Sequence, residues 1–132
     1  MTVEQAFPFQ VWIAEQVALA LAADPIEVFD YAPQKPPVEF IRLDGFGLTD
    51  HSLKNKERGR HSCEIHYFHR PKGADLGARG QKRAKEVLAG IHSFLKAQAF
   101  LGETLSFQSM SNEKDADGVT QHGHLRYSIL IS

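Results

Sequence analysis

The chain has 132 residues, 42% hydrophobic and 23% charged, which is enough for one domain with a single core. Its net charge of −1 disfavours a dedicated DNA-binding protein, because such proteins carry a clear excess of Lys and Arg. The single cysteine, Cys63, excludes an intrachain disulfide, and neither a secretory signal nor a membrane-spanning run is evident. We therefore expect a protein with no membrane partner, kept in a reducing cytoplasm alone or within an assembly.

The first third of the sequence predicts one helix followed by two short strands. Apolar residues recur at spacings of three and four over Thr2 to Ala23, which is typical of an amphipathic helix. The helix should end at Asp24, because the residue before Pro25 is pushed out of the helical region. Strands are predicted at Ile26 to Phe29 and at Val38 to Leu43.

A polar, glycine-containing segment follows from Asp44 to Arg60. Its middle, Thr49 to Glu57, has no periodicity and almost no apolar residues. We expect residues 48–60 to form a mobile loop or the tip of a long hairpin, disordered in the free subunit and ordered against a partner.

The second half predicts a strand, a helix and two further strands. Alternating apolar residues indicate a strand at Ser62 to His69, and Arg70 to Gly80 has the glycine and proline content of a turn. An apolar stripe with charges opposite predicts a helix over Gln81 to Gln98. Thr104 to Met110 and His122 to Ser132 are the last two predicted strands.

The predicted order of elements is α-β-β-β-α-β-β. Two main helices packed on a largely antiparallel or mixed sheet of four to five strands would bury all of these stripes, which is an α+β fold. We expect a single domain over residues 1–132.

The histidines are the first candidates for chemistry, because the sequence has seven. His66 and His69 lie on one predicted strand, and His122 and His124 project from the same side of another. If these strands are neighbours, His66 and His124 can approach each other and a zinc site can be imagined. No Cys, Asp or Glu is placed at a ligand-like spacing nearby, so we expect surface or interface histidines, with no metal or other cofactor.

Other features favour structural explanations over catalysis. Cys63 lies in the middle of a strand on its apolar side, as a buried thiol does. The glycines before the second helix match neither phosphate-binding motif, and a flexible turn explains them. Without a recognisable active site, we expect a protein that is not an enzyme.

Two clusters of basic residues could touch DNA phosphates, but a solvated loop and a solvated helix face explain them as well. Their members are Lys54, Lys56, Arg58 and Arg60, and Arg79, Lys82, Arg83 and Lys85.

Four segments follow one another in a characteristic order between Arg60 and Ser132. They are a strand ending in basic and glycine residues (HSCEIHYFHRPKG), a helix (GQKRAKEVLAGIHSFL), a strand (FLGETLSFQSM), and an acidic-glycine turn with a terminal strand (DADGVTQHGHLRYSILI). In this order and spacing the chain resembles the tail-terminator or tail-completion family of long-tailed phages and gene transfer agents. The resemblance is close over about the last 70 residues and loose over the first 60.

This resemblance implies a structural protein of the virion, made in the cytoplasm of a host bacterium. Members of the family form a ring, commonly a hexamer, at the head-proximal end of the tail. The ring ends polymerisation of the tail-tube protein and joins the tail to the head-completion or neck protein, and DNA passes through its lumen. Another head–tail connector or neck component is the alternative, and a small metal-binding enzyme using the paired histidines is a more distant one.

A ring needs two different complementary patches on each subunit, and free strand edges can supply them. We expect the strands Ser62 to His69 and His122 to Ser132 to provide such edges. The candidate residues for subunit or partner contacts are Lys54, Lys56, Arg58, Arg60, His66, His69, Arg79, Arg83, His122, His124 and Arg126.

Overall fold

Two α-helices pack on one face of a five-stranded sheet in the computed structural model, which describes residues 2–73 and 78–132. The helices are α1 (Ala6–Ala20) and α2 (Ala78–Leu95), and a 3-10 helix (Thr2–Gln5) precedes α1. The strands are β1 (Glu27–Phe29), β2 (Glu39–Asp50), β3 (Gly59–His69), β4 (Ala99–Phe100), β5 (Glu103–Thr104), β6 (Ser106–Lys114) and β7 (Gln121–Ile131). The predicted α+β class and element order are confirmed, with a small β4–β5 hairpin added.

Element boundaries differ from the predicted ones by a few residues. The first helix ends three residues before Ala23, α2 is shifted by three residues towards the N-terminus, and β6 begins and ends later than predicted. Terminal turns and strand ends depend on tertiary contacts, which periodicity does not report. The predicted turn from Arg70 to Gly80 includes residues 74–77, which lie outside the described residues.

The main sheet has the strand order β1-β2-β3-β7-β6. β1 is parallel to β2, and all other neighbouring strands are antiparallel. The prediction that β3 and β7 present free edges is wrong, because each of them is paired on both sides and the edges belong to β1 and β6. Alternation along a strand shows which side chains are buried, but it does not show how many strands lie beside it.

The hydrophobic core lies between the helices and the inner face of the sheet. The α1 side chains that it buries are Phe9, Ile13 and Val17, and those of α2 are Ala84, Val87, Leu88, Ile91 and Leu95. The strands contribute Ile41, Leu43, Cys63, Ile65, Tyr67, Leu125, Tyr127, Ile129 and Ile131. These are the stripes that helical and strand periodicity predict, and burying them orients both helices on the sheet.

The polar segment of residues 48–60 is the end of the β2–β3 hairpin. β2 runs into this segment and pairs with β3 across a bulge, at which Gly45 has a φ of 64°. Residues 51–58 form the tip, and an isolated backbone pair joins Leu53 to Lys56. The structure therefore has the hairpin tip, one of the two predicted alternatives, and the mobility of this tip stays a prediction.

Helix α2 packs closely on the sheet at Gly123, which lies between two outward-facing histidines of β7. A Cβ atom at this position would lie 2.7 Å from a methyl carbon of Leu88, which is fully buried. The absence of a side chain at Gly123 therefore allows the helix to rest directly on the strand.

We predict that Gly123→Ala lowers the free energy of unfolding by about 1–3 kcal/mol, because the added methyl group overpacks the helix–sheet contact. The matched control is Gly90→Ala on the exposed face of α2, where an added Cβ would meet nothing within 4 Å. That change should stabilise the protein by about 0.5–1 kcal/mol. Chemical denaturation measures both values, and equal effects of the two substitutions would contradict the close contact.

A network of ion pairs connects α2 to the first residue of β2. Arg83 donates from Nε and Nη2 to the two carboxylate oxygens of Glu39, at 2.9 Å each, and from Nη1 to Asp24 at 2.6 Å. The buried Tyr67 also donates its hydroxyl to Glu39. Burial opposes ionisation of Glu39, but the hydrogen bonds from Arg83 and Tyr67 outweigh it and lower the pKa of this carboxyl.

We predict that Glu39→Gln lowers the free energy of unfolding near pH 7 by about 1–3 kcal/mol, because it removes a charge-assisted bidentate pair. Since folding lowers the pKa of Glu39 below 4.5, the stabilisation is present above that pH. It is lost as the pH falls through the folded-state pKa, so the difference between wild type and Glu39→Gln should shrink on acidification.

Urea denaturation at a series of pH values measures this difference. The control is Glu86→Gln, which removes an exposed carboxylate 3.6 Å from Lys82 and should cost less than about 0.5 kcal/mol. A wild-type advantage over Glu39→Gln that grows towards acid would contradict the assigned role of the network.

Candidate interaction surfaces

The outer face of the sheet, opposite the helices, carries stacked aromatic and imidazole rings. Ring centroids lie 4.9 Å apart between Phe40 and Phe68, and 4.3 Å apart between Phe68 and His122. The guanidinium of Arg42 lies 5.2 Å from the centroid of the Phe68 ring. These side chains half-bury one another because they project from neighbouring strands on the same side.

Three of the predicted site residues meet on this face. His66 and His124 are paired across β3 and β7, and their ring centroids are 4.6 Å apart, as the sequence predicted for neighbouring strands. His122 also joins them, with its Nε2 2.9 Å from Nδ1 of His66. His69, by contrast, lies at the end of β3, with its ring 6.2 Å from that of Tyr67.

The expectation that no acidic residue lies near these histidines is wrong. The Oε1 atom of Glu64 is 2.7 Å from Nε2 of His124 and 3.6 Å from Nε2 of His66. Glu64 precedes His66 by two residues on one strand, so both side chains project from the same face. This Glu-x-His spacing is the sequence signal that identifies the carboxylate as a neighbour.

The environment of His66 disfavours its charged form. Burial, together with the nearby His124 and His122, lowers the pKa of His66 to about 4 against the opposing effect of Glu64. The imidazole of His66 is therefore neutral near pH 7.

A second surface is the free edge at β6. Phe107 and Met110 pair with Tyr127 and Leu125 of β7, whose side chains belong to the core, so they project towards the helix side of the sheet. They are nevertheless 46% and 53% exposed, because they lie at the margin of the sheet. The edge therefore combines unpaired backbone groups with exposed apolar side chains.

A third surface is the outer side of the N-terminal helices. Val3, Phe7 and Val11 follow one another at intervals of four residues and form a stripe, and Phe7 is 72% exposed. Helix α1 contacts β1, β2 and β3, whereas α2 contacts β7, β3 and β6. The α1 stripe and the β6 edge therefore lie on opposite flanks of the subunit.

The predicted basic residues are spread over several places. Lys54 and Lys56 are exposed at the hairpin tip, beside the half-buried Arg58, and Arg79 is exposed at the start of α2. Two others are engaged within the fold, since Arg60 donates to the Ser128 hydroxyl at 3.0 Å and Arg83 belongs to the network described above. Arg126 lies 3.5 Å from Glu64 on the outer face. They do not form one continuous basic surface.

Comparisons with known proteins agree with this fold. Residues 10–132 match the family described as "Tail completion protein gp17". The fold is similar to that of a protein in the virion of a native gene transfer agent particle, with a TM-score of 0.67 and 17% identity over 89% of this chain and 90% of that one. No curated protein sequence matches the chain.

The chain is thus a structural protein of a phage or phage-like tail, and it is located in the virion. It belongs to the tail completion protein gp17 family. Within the described residues, neither helix is long and apolar enough to cross a membrane.

Proposed function

We propose that the protein forms a closed ring at the head-proximal end of a phage or phage-like tail. There it ends polymerisation of the tail tube and offers a surface to the head-completion or neck protein. A hexamer is the expected ring size for this family, and DNA passes through the lumen. The role requires complementary surfaces and no catalytic step.

The observation that carries this proposal is the position of two different apolar patches on opposite flanks. A head-to-tail ring uses one patch of each subunit against the other patch of the next subunit. The α1 stripe around Phe7 and the β6 edge around Met110 supply such a pair. The free backbone of β6 adds hydrogen-bonding groups that a neighbouring subunit can satisfy.

The hairpin tip is the proposed contact with the tube or the neck. Lys54 and Lys56 are exposed there, at the far end of two long paired strands. A protruding tip with few apolar contacts is suited to becoming ordered against a partner. The near-neutral charge of the chain, −1, suits a pore that lets DNA slide through.

The ring is tested by mixing two variants, Phe7→Asp and Met110→Lys. Each variant loses one patch and should remain monomeric on a sizing column, with unchanged thermal unfolding because both side chains are exposed. Mixed together, the two should form dimers and nothing larger, since each such pair has one intact interface.

The matched control is Leu19→Asp, a 57% exposed residue of the same helix about a third of a turn away from the stripe. It should leave the ring intact. Rings that persist in Phe7→Asp and Met110→Lys, or a mixture that stays monomeric, would contradict the head-to-tail arrangement.

Termination is tested by adding the protein to growing tail tubes. We predict that elongation stops and that gold-labelled protein is seen at one end of each tube in electron micrographs. The double variant Lys54→Glu/Lys56→Glu should still form rings but lose binding to its tube or neck partner, whereas Lys82→Glu/Lys85→Glu on α2 should retain it. Binding to portal complexes without binding to tubes would assign the protein to the neck instead.

A further inference from the structure

We propose that Glu64, His66 and His124 bind one divalent metal ion of the zinc class on the outer face of the sheet. Each of the three residues offers one ligand atom, an imidazole nitrogen or a carboxylate oxygen, and these atoms all lie within 4.8 Å of one another. Two imidazoles and one carboxylate are a ligand set that Zn²⁺ accepts, with a fourth position open to water. All three ligands belong to one subunit, so metal binding does not require the proposed ring.

Two of the three distances between ligand atoms are close to those that a tetrahedral ion requires. Ligand atoms about 2.0–2.1 Å from zinc lie about 3.3 Å from one another. Glu64 Oε1 and His66 Nε2 are 3.6 Å apart, and the 2.7 Å contact between Glu64 Oε1 and His124 Nε2 needs to widen by about half an ångström. The third pair, the two imidazole nitrogens, lies within 4.8 Å, on backbones that the paired strands hold in place.

Contacts on both sides of His66 orient its ring. Nδ1 of His66 is 2.9 Å from Nε2 of His122, and Nδ1 of His122 is 3.3 Å from Asp115. Nε2 of His66 lies 3.6 Å from Oε1 of Glu64, which is too far for a hydrogen bond. When Nδ1 of His66 donates to His122, Nε2 carries a lone pair that a cation can bind.

The contacts from His66 to His122 and from His122 to Asp115 supply the outer hydrogen bonds that support metal-bound histidines. A hydrogen bond from Nδ1 of His66 to His122, with His122 in turn donating to Asp115, would hold the tautomer in which Nε2 of His66 can bind a metal ion. His124 binds the ion through Nε2 in the tautomer whose ring proton lies on Nδ1.

The site is built rather than accidental, because the bulge in β2 makes room for it. A Cβ atom at Gly45 would lie 2.2 Å from Oε2 of Glu64, so the carboxylate rests where a side chain would otherwise be. The side chains of His66, His124 and Glu64 are 13%, 17% and 26% exposed, which leaves an ion a path from solvent.

The test uses untagged full-length protein, freed of metal by a chelator and titrated with Co²⁺ as the spectroscopic probe. Wild type should bind one Co²⁺ per chain with the visible absorption of a tetrahedral site, and Zn²⁺ should displace it. His66→Gln and His124→Gln should lose this binding, and His122→Gln should weaken it about 10–100-fold through the lost support. His51→Gln, an exposed histidine of the hairpin tip, is the control and should bind as wild type does.

Nuclear magnetic resonance of the wild type keeps the proposal testable if a ligand variant fails to fold. Zn²⁺ should shift the ring nitrogens of His66 and His124 and leave those of His51 unchanged. Absence of stoichiometric binding, binding that survives both ligand substitutions, or equal shifts at His51 would each overturn the proposed site.

Discussion

The antiparallel pairing of β3 with β7 is the contact on which the rest of the structure depends. It joins residues 59–69 to residues 121–131 over their full lengths, at the centre of the sheet. Its inner face holds the fully buried Ile65, Leu125 and Ile129, against which both helices bury their stripes. Its outer face places His66 opposite His124. Because side chains alternate, a shift of one residue in this pairing would exchange the two faces and remove both the core and the histidine cluster.

A two-layer fold leaves one sheet face and two sheet edges without a covering layer of their own. The side chains of the outer face instead pack against one another. The rings of Phe40, Phe68 and His122 are stacked, and Glu64 contacts His124. The β6 edge and the α1 stripe keep apolar side chains exposed, as surfaces that become buried in an assembly do. These exposed apolar side chains are the ones that the proposed ring would bury between neighbouring subunits.

Much of the fold could be predicted from local patterns, because the apolar stripes report burial directly. The stripe of Leu88 and Ile91 and the alternation of Leu125 and Tyr127 identified their elements and their buried faces. Strand order could not be predicted in this way, since it is a non-local property, and inner strands were therefore mistaken for edges. The extension of β2 was missed for the same reason, because its polar second half is a strand only through pairing with β3.

The candidate site was predicted in part. The approach of His66 to His124 followed from the assumption that their strands are neighbours, whereas Glu64 was overlooked although it shares the face of His66. The apolar surfaces were not predicted, because exposed residues such as Phe7 and Met110 follow no sequence pattern that marks an interface, and only the position of their elements shows that they are exposed. The basic residues named from the sequence are scattered over the surface, and Arg83 binds Glu39 within the fold.

In the proposed ring, each subunit places its α1 stripe against the β6 edge of the next. This arrangement is tested most directly by joining the two surfaces chemically, in the double variant Phe7→Cys/Met110→Cys treated with a short bifunctional maleimide. The natural Cys63 is buried, and burial raises the pKa of its thiol to about 12, so it does not compete. The account predicts a ladder of cross-linked species that ends at the ring size, and no products from either single variant. Cross-linked dimers from a single variant, or no cross-linking in the double variant, would contradict it.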